Sequence, residues 1–217
     1  MTQPAFTPAL GRFGAGWLYD AVVALTGERG WRLAATRELA AAPGDVVVDV
    51  GCGSGSQALM VHALQPQARI VGVDPDGRML ALARRKAQKA SAPVEFRSGM
   101  GDALAAVLPD VRADKVISSL VLHQCPLPMK RAILASMYEV LQPGGRLVIA
   151  DFGRQRSWLM RVAFLVVQMA DGFADTQPNA DGVLPGLMRQ AGFGNVREAQ
   201  VIPTLVGAVT VYVAEKA

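Results

Sequence analysis

The run Val46-Val47-Val48-Asp49-Val50-Gly51-Cys52-Gly53-Ser54-Gly55 constrains this chain more than any other ten residues. A β-branched strand runs straight into glycines at 51, 53 and 55, and a helical pattern follows from Ser54. Strand, glycine turn and helix N-terminus together cradle a nucleotide-like ligand, because small residues let it approach the backbone amides. A dinucleotide fingerprint would put its third glycine three positions after the second. Here position 56 is Ser and the spacing is G-x-G-x-G. Asp49 stands two residues before the turn, and no Lys or Arg occurs between Gly51 and Gln67. A diphosphate would be repelled there, whereas an ammonium and a sulfonium would be attracted. That is the chemistry of S-adenosylmethionine rather than of NAD or ATP.

A chain of 217 residues, 51% hydrophobic, can bury one full core and reads as a single domain over 1–217. Only 18% of residues are charged, so disorder is expected in no more than the first dozen. The net charge is +4, and the densest basic run, Arg84-Arg85-Lys86, falls on a predicted helix surface. It reads as a solvated face, and no nucleic-acid partner is expected. Cys52 and Cys125 make neither a disulfide framework nor a zinc set, so no metal is expected and a reducing, cytoplasmic setting fits. The N-terminus lacks a basic region followed by an apolar one, so it does not read as a secretory signal. The longest apolar stretch, 158–170, is interrupted by Arg161 and is shorter than the ~20 residues of a spanning helix. Peripheral membrane contact and a homodimer are left open.

From residue 46 short β-branched runs alternate with longer helical patterns. The expected strands are 46–50, 69–74, 94–98, 114–119 and 146–151, with helices near 55–65, 77–90, 102–108 and 127–141. That rhythm predicts a parallel sheet covered on both faces. Pro143-Gly144-Gly145 reads as the turn between the last helix and the fifth strand. Further on come an apolar helix near 157–171, a polar loop at 171–182, a helix near 183–191, and strands near 195–202 and 206–214. The connection around Pro203 is too short for a parallel crossover, so the last two strands must be antiparallel.

In an open α/β sheet the ligand lies at the carboxyl ends of the strands, at the switch point. The second strand ends in Asp74, 19 residues after Gly55, where a carboxylate can accept both ribose hydroxyls. Asp76, after Pro75, is the better candidate to cap the following helix. Past the third strand, Met100-Gly101-Asp102 offers a polarisable face and an acceptor for adenine, and Asp102 equally suits a helix N-cap. The fourth strand ends in Ser118-Ser119 and runs on to His123. His62 reads as a surface or packing residue. His123 is the candidate general base, with a structural or substrate-orienting role as the alternative.

V-D-V-G-C-G-S-G, the acid of V-G-V-D-P, the G-D pair at 101–102 and L-Q-P-G-G-R-L-V-I-A-D at 141–151 together resemble class I S-adenosylmethionine-dependent methyltransferases. The likeness is to the broad ubiquinone/menaquinone-methyltransferase and small-molecule group, and it covers roughly 15–217. It implies a Rossmann-like, doubly wound α/β fold with a mostly parallel seven-stranded sheet and an antiparallel last strand. It also implies a helical lid at about 15–42, a cofactor core at about 43–151, and an acceptor cover with the final strands at about 152–217. By resemblance, Asp49, Gly51, Cys52 and Gly53 hold the methionine end of S-adenosylmethionine. Asp74 and Pro75 take the ribose, Met100, Gly101 and Asp102 the adenine, and Ser118 lines the same crevice, with Tyr19 over the cofactor. S-S-L-V-L-H-Q at 118–124 replaces the usual pattern of the quinone enzymes, which counts against a quinone acceptor. The Pro-Pro-aromatic element of nucleic-acid amino-methyltransferases does not follow the fourth strand, and Cys125 precedes a proline instead of following one, unlike the cytosine-C5 enzymes.

Trp158, Val162, Leu165, Met169 and Phe173 recur at helical spacing after the fifth strand. The expected acceptor is therefore a small, largely apolar or aromatic metabolite, walled by Trp158, Phe164, Leu165 and Tyr19. Thr176 and Asn179, in the polar loop, would orient its heteroatom beside His123. Action on a lipid or quinone at a membrane surface is the alternative, followed by a protein that binds the cofactor without catalysis.

Overall fold

A computed structural model of the chain describes residues 27–217. Tyr19 and the first part of the expected lid lie outside the described residues. Seven strands form one sheet: β1 Val46–Val50, β2 Arg69–Asp74, β3 Glu95–Ser98, β4 Ala113–Ser119, β5 Leu141–Phe152, β6 Gly194–Thr204 and β7 Gly207–Glu215. Their order is β3-β2-β1-β4-β5-β7-β6, and β7 alone runs antiparallel to its neighbours. The expected fold class is the observed one. The chain winds outward from β1 to β3, then returns to place β4 on the other side of β1. The crevice between the carboxyl ends of β1 and β4 is therefore the switch point.

Both faces of the sheet are covered, which is why its strands read as unbroken apolar runs. Val47, Ile70, Ile117, Val148, Val209 and Val211 point to one side. There they meet α1 Glu28–Leu39, α2 Ser56–Leu64, α3 Gly77–Lys89 and α6 Trp158–Asp171. Val48, Val71, Val116, Leu147, Ile149 and Tyr212 point to the other. They pack on α4 Leu104–Val107, α5 Leu127–Val140 and α8 Leu184–Gln190. Alternate side chains of one strand serve opposite cores, so a one-residue slip in register would exchange the two sets.

Three local expectations need correction. Pro143-Gly144-Gly145 lies within β5 as a bulge, since Ala113 pairs with Leu141 while Lys115 already pairs with Arg146. Gly144 sits at φ 76°, and Lys216 on the far side closes the bulge through Gly144 N–H and Gly145 C=O. The helix expected at 102–108 shrinks to Leu104–Val107. The polar stretch 171–182 is largely helical, forming α7 Phe173–Asp181. Its Asp, Asn, Gly and Pro content reads as loop locally, but tertiary bonds override that reading. Buried Asn179 donates from Nδ2 to the Phe152 carbonyl at 3.0 Å, and buried Thr176 donates to Gly172 O at 2.7 Å. Gly182 then ends the helix in the left-handed region.

Asn179→Ala is expected to cost about 1–3 kcal/mol by leaving the buried Phe152 carbonyl without its donor. Urea unfolding measures this; an unchanged midpoint would mean that α7 is held by other contacts.

Candidate active site

The glycine turn is tied to β2 and leaves an open side. The N–H groups of Gly51 and Cys52 donate to Val73 O at 2.8 and 3.1 Å, and Gly53 N–H donates to Asp74 Oδ2 at 2.8 Å. All three glycines, at φ 70°, 51° and 76°, occupy backbone space that side chains disfavour. A Cβ on Gly51 would lie 2.3 Å from Val121 Cγ2, so the loop after β4 presses on the turn. A Cβ on Gly53 would meet nothing within 4 Å, which marks the open side. The Cys52 thiol points into the sheet beside Gly72, and burial pushes its pKa up. Cys52 therefore shapes the turn through its backbone.

Beneath the turn, Asp49 is 0% exposed, and neither carboxylate oxygen has a hydrogen-bond partner. Burial pushes its pKa up to about 7, with the Arg32 guanidinium opposing the rise and Asp74 adding to it. Asp74 is also buried, and its carboxyl is raised by that burial. Its oxygens accept from Gly53 N–H and, at 2.9 Å, Asp76 N–H. Each oxygen keeps a lone pair for a ligand hydroxyl. Pro75 is partly buried beside it, and Asp76 caps α3 by accepting from the N–H groups of Arg78 and Met79.

Met100, Gly101 and Asp102 follow β3 as a partly buried shelf. Asp102 caps nothing, because α4 starts two residues later and Leu104 N–H finds Ser136 Oγ at 2.8 Å. Ser118 is committed elsewhere: its hydroxyl donates to Val50 O at 2.8 Å and stitches β4 to β1. Its neighbour Ser119 accepts from Arg32 Nη1 at 3.0 Å.

His123 is buried with both ring nitrogens on carboxylates. Nδ1 lies 2.7 Å from Asp151 Oδ1, and Nε2 lies 3.3 Å from Asp171 Oδ2. Burial disfavours its charge, but Asp151 and Asp171 together outweigh burial and bring the pKa up to about 9. A free imidazole titrating near the reference value is not what this geometry provides. Asp151 Oδ2 also accepts from the N–H groups of Val121 and Leu122, at 3.1 and 2.7 Å. Buried Lys130 donates to the carbonyls of Leu122, His123, Cys125 and Asp175. The 3₁₀ turn Leu122–Gln124 is thus fixed to β5, α5 and α7 by buried charges.

On α6 the expected wall divides. Phe164 is only 1% exposed and packs on Phe152, so it belongs to the core. Trp158 and Met169, at 72% and 68%, stand out with Leu159, Val162, Leu165 and Val166 on the outward face, and Phe173 at the start of α7 is exposed too. Thr176 donates to the Gly172 carbonyl and Asn179 Nδ2 to the Phe152 carbonyl, while Asn179 Oδ1 is buried and keeps a free acceptor position.

A methyltransferase-domain family model matches residues 47–145, from β1 through the β5 bulge. The ubiquinone/menaquinone biosynthesis C-methyltransferase UbiE of Syntrophotalea carbinolica is 30% identical over 233 residues, covering 97% of this chain and 92% of that enzyme. The chain belongs to the class I S-adenosylmethionine-dependent methyltransferases. The demethylmenaquinone methyltransferase of Deinococcus radiodurans is 37% identical over 147 residues, or 68% of this chain and 59% of that enzyme's length. Among solved structures, an O-methyltransferase family protein from Burkholderia thailandensis superposes with a TM-score of 0.73 at 20% identity, over 91% of this chain and 58% of its own. A magnesium protoporphyrin IX methyltransferase from Synechocystis with bound S-adenosylmethionine gives 0.65 at 18%, over 97% and 88%. At those identities the likeness is one of fold.

The residues of this methyltransferase suit the family's methyl donor. An unpartnered buried carboxylate awaits a cation, the turn above it is open at Gly53, and Asp74 retains acceptor capacity at the end of β2. Arg32, Lys130, Asp151 and Asp171 went unremarked in the sequence. Asp151 was legible by the strand-end rule that picked out Asp49 and Asp74. The others emerge only when distant elements meet.

Because His123 titrates higher folded than the ~6.5 of an unfolded chain, its ion pairs stabilise fully below that value. The contribution is lost as pH rises through about 9. Urea unfolding between pH 6 and 10 should show this decline in the wild type and not in His123→Gln. Parallel curves for the two would contradict it.

Proposed function

We propose that this protein transfers the methyl group of S-adenosylmethionine to a small, largely apolar or aromatic acceptor, with quinols as one class within that reading. The single observation that carries the donor half is the Asp49 carboxylate, buried and unpartnered beneath an open glycine turn. The donor supplies a methyl on a positively charged sulfur, ready for direct displacement. Asp49 faces the cationic amino-acid end, Asp74 accepts from the ribose, and the Met100–Asp102 shelf receives the adenine. Residues 43–151 thus serve the donor and 152–217 the acceptor.

The acceptor half is carried by α6 and by the relatives, whose names specify demethylmenaquinone, 2-phytyl-1,4-naphthoquinone and ubiquinone/menaquinone biosynthesis. Its outward face offers Trp158 and Leu165 to an apolar ring or tail. His123 serves as a clamp in this reading, its imidazolium holding Asp171 at the end of α6 against Asp151 at the end of β5. Acceleration then comes from alignment and exclusion of water, which direct displacement rewards most. The exposed apolar face also favours the membrane-surface version of the same chemistry, since none of the described helices is long and apolar enough to cross a bilayer. Two free cysteines suit a reducing cytoplasm.

The test is release of S-adenosylhomocysteine with a series of naphthohydroquinones and simple phenols, in the wild type and in Trp158→Ala and Leu165→Ala. Both side chains are exposed, so their loss should leave folding intact. It should raise the KM for acceptor several-fold and change that for donor by less than about twofold. No turnover across the series would refute the quinol class, and equal effects on both substrates would remove α6 from the acceptor site.

A further inference from the structure

The helix after β5 is apolar on both of its faces. Phe164 and Val167 turn inward to the core, where Phe164 packs on Phe152. On the opposite side Trp158, Val162, Leu165 and Met169 recur at helical spacing and form one outward stripe. Leu205, 74% exposed, stands in the turn between β6 and β7. That turn is seated on α6, since a Cβ on Gly207 would lie 3.1 Å from Phe164 Cδ2. Among the described residues every exposed large apolar side chain except Leu64 and Leu82 belongs to α6, to the start of α7 or to this turn. A helix apolar all round belongs in an interior, so the outward stripe is built to be covered.

Charge around the stripe is one-sided. From Gly153 to Phe173 the chain carries Arg154, Arg156 and Arg161, all exposed, and a single acid, Asp171, which is turned onto His123. Arg156 pairs with Glu198, and Arg161 lies 3.4 Å from Asp181, whereas Arg154 forms no ion pair among the described residues. Exposed pairs of that kind are weak and give way readily to other anions. The chain as a whole adds a net charge of +4. None of the described helices is long and apolar enough to cross a bilayer. A shorter helix with a tryptophan-bearing apolar face and arginines at its flank has the pattern of one that lies in the plane of a lipid interface.

We propose that α6 and the β6–β7 turn form a docking face for an anionic lipid surface, with the apolar stripe entering the interface and Arg154, Arg156 and Arg161 meeting the headgroups. The proposal deepens the acceptor reading above and rests on it for its purpose, since an apolar acceptor partitions into lipid. α6 ends at Asp171, whose carboxylate reaches His123 in the loop that presses on the glycine turn. Lipid met along α6 therefore lies next to the acceptor side of the fold. A second copy of the chain would cover the same stripe less well. Across a two-fold axis it would bring the same three arginines to the contact, like charge facing like, whereas an anionic surface meets them with the opposite sign.

Co-sedimentation of the full chain with vesicles tests this, using phosphatidylcholine alone and an equal mixture of phosphatidylcholine and phosphatidylglycerol. The wild type should bind the anionic vesicles at least about fivefold more strongly than the neutral ones, and the difference should shrink as salt is raised. Leu159→Glu and Leu205→Glu should each weaken binding to both kinds of vesicle by at least about tenfold. Arg154→Glu should weaken it on the anionic vesicles alone. All three side chains are exposed, and circular dichroism melts establish that each variant is folded. Affinity of Leu205→Glu for S-adenosylhomocysteine should stay within about twofold of the wild type, as for a surface change away from the donor. The proposal is overturned if the folded wild type binds neither vesicle, as cover by a second copy or by the chain's own first residues would produce. It is overturned equally if folded Leu159→Glu and Leu205→Glu bind as the wild type does, or if neutral and anionic vesicles bind alike. Failure of the methyltransferase reading shows separately, as a wild type that binds anionic vesicles through this face but does not bind S-adenosylhomocysteine.

Discussion

Everything at the switch point is arranged around Asp49, a carboxylate held out of water with the Ala58 amide facing it and no side-chain hydrogen bond. A charge in that state costs several kcal/mol, so the carboxyl titrates near pH 7 and is only partly ionised there unless a cation arrives. The fold supplies no full partner: Arg32 is spread among Ser119, Glu28 and Trp31. A ligand with a positive amino-acid end restores the missing interaction. The crevice is thus prepared for a ligand of one charge pattern before that ligand binds.

Around that point the rest of the structure acts as support. Asp74 holds the glycine turn while each of its oxygens keeps a free acceptor position, and Ser118 binds the two strands that form the crevice. Beyond β4, Asp151, His123 and Asp171 form a buried chain from the end of β5 to the end of α6. Lys130 gathers four carbonyls of the same region. Buried charges of this kind are costly to assemble and costly to break, so they fix the path of the β4–α5 connection more rigidly than apolar contacts would.

Much of this was legible in the sequence. The glycine run, the acid ending β2 and the alternation of strand and helix are local patterns, and local patterns survive folding unchanged. Five parallel strands closing with an antiparallel pair followed from them, and the family resemblance completed the seven-stranded sheet. What escaped depends on contacts between distant segments. The stretch around Thr176 and Asn179 reads as a polar loop until its side chains are seen bonding the backbone of Gly172 and Phe152. His123 reads as a free base until Asp151 and Asp171 arrive from 28 and 48 residues away along the chain. Phe164 and Trp158 share one amphipathic helix, and only packing shows that one is core and the other surface.

The account stands on Asp49 as the receptor of the donor's positive charge, and the pH dependence of binding tests it most directly. Asp49 is faced by Arg32, Asp74, Cys52 and the Ala58 amide, and its carboxyl gains a proton below about 7. Calorimetric titration of S-adenosylhomocysteine from pH 5 to 8 should therefore show wild-type affinity level above about 7 and falling toward tenfold per unit below it. Asp49→Asn should bind weakly and lose most of that slope, with any remainder belonging to Asp74. A wild-type affinity independent of pH, or an Asn variant that binds as tightly as the wild type, would contradict the account.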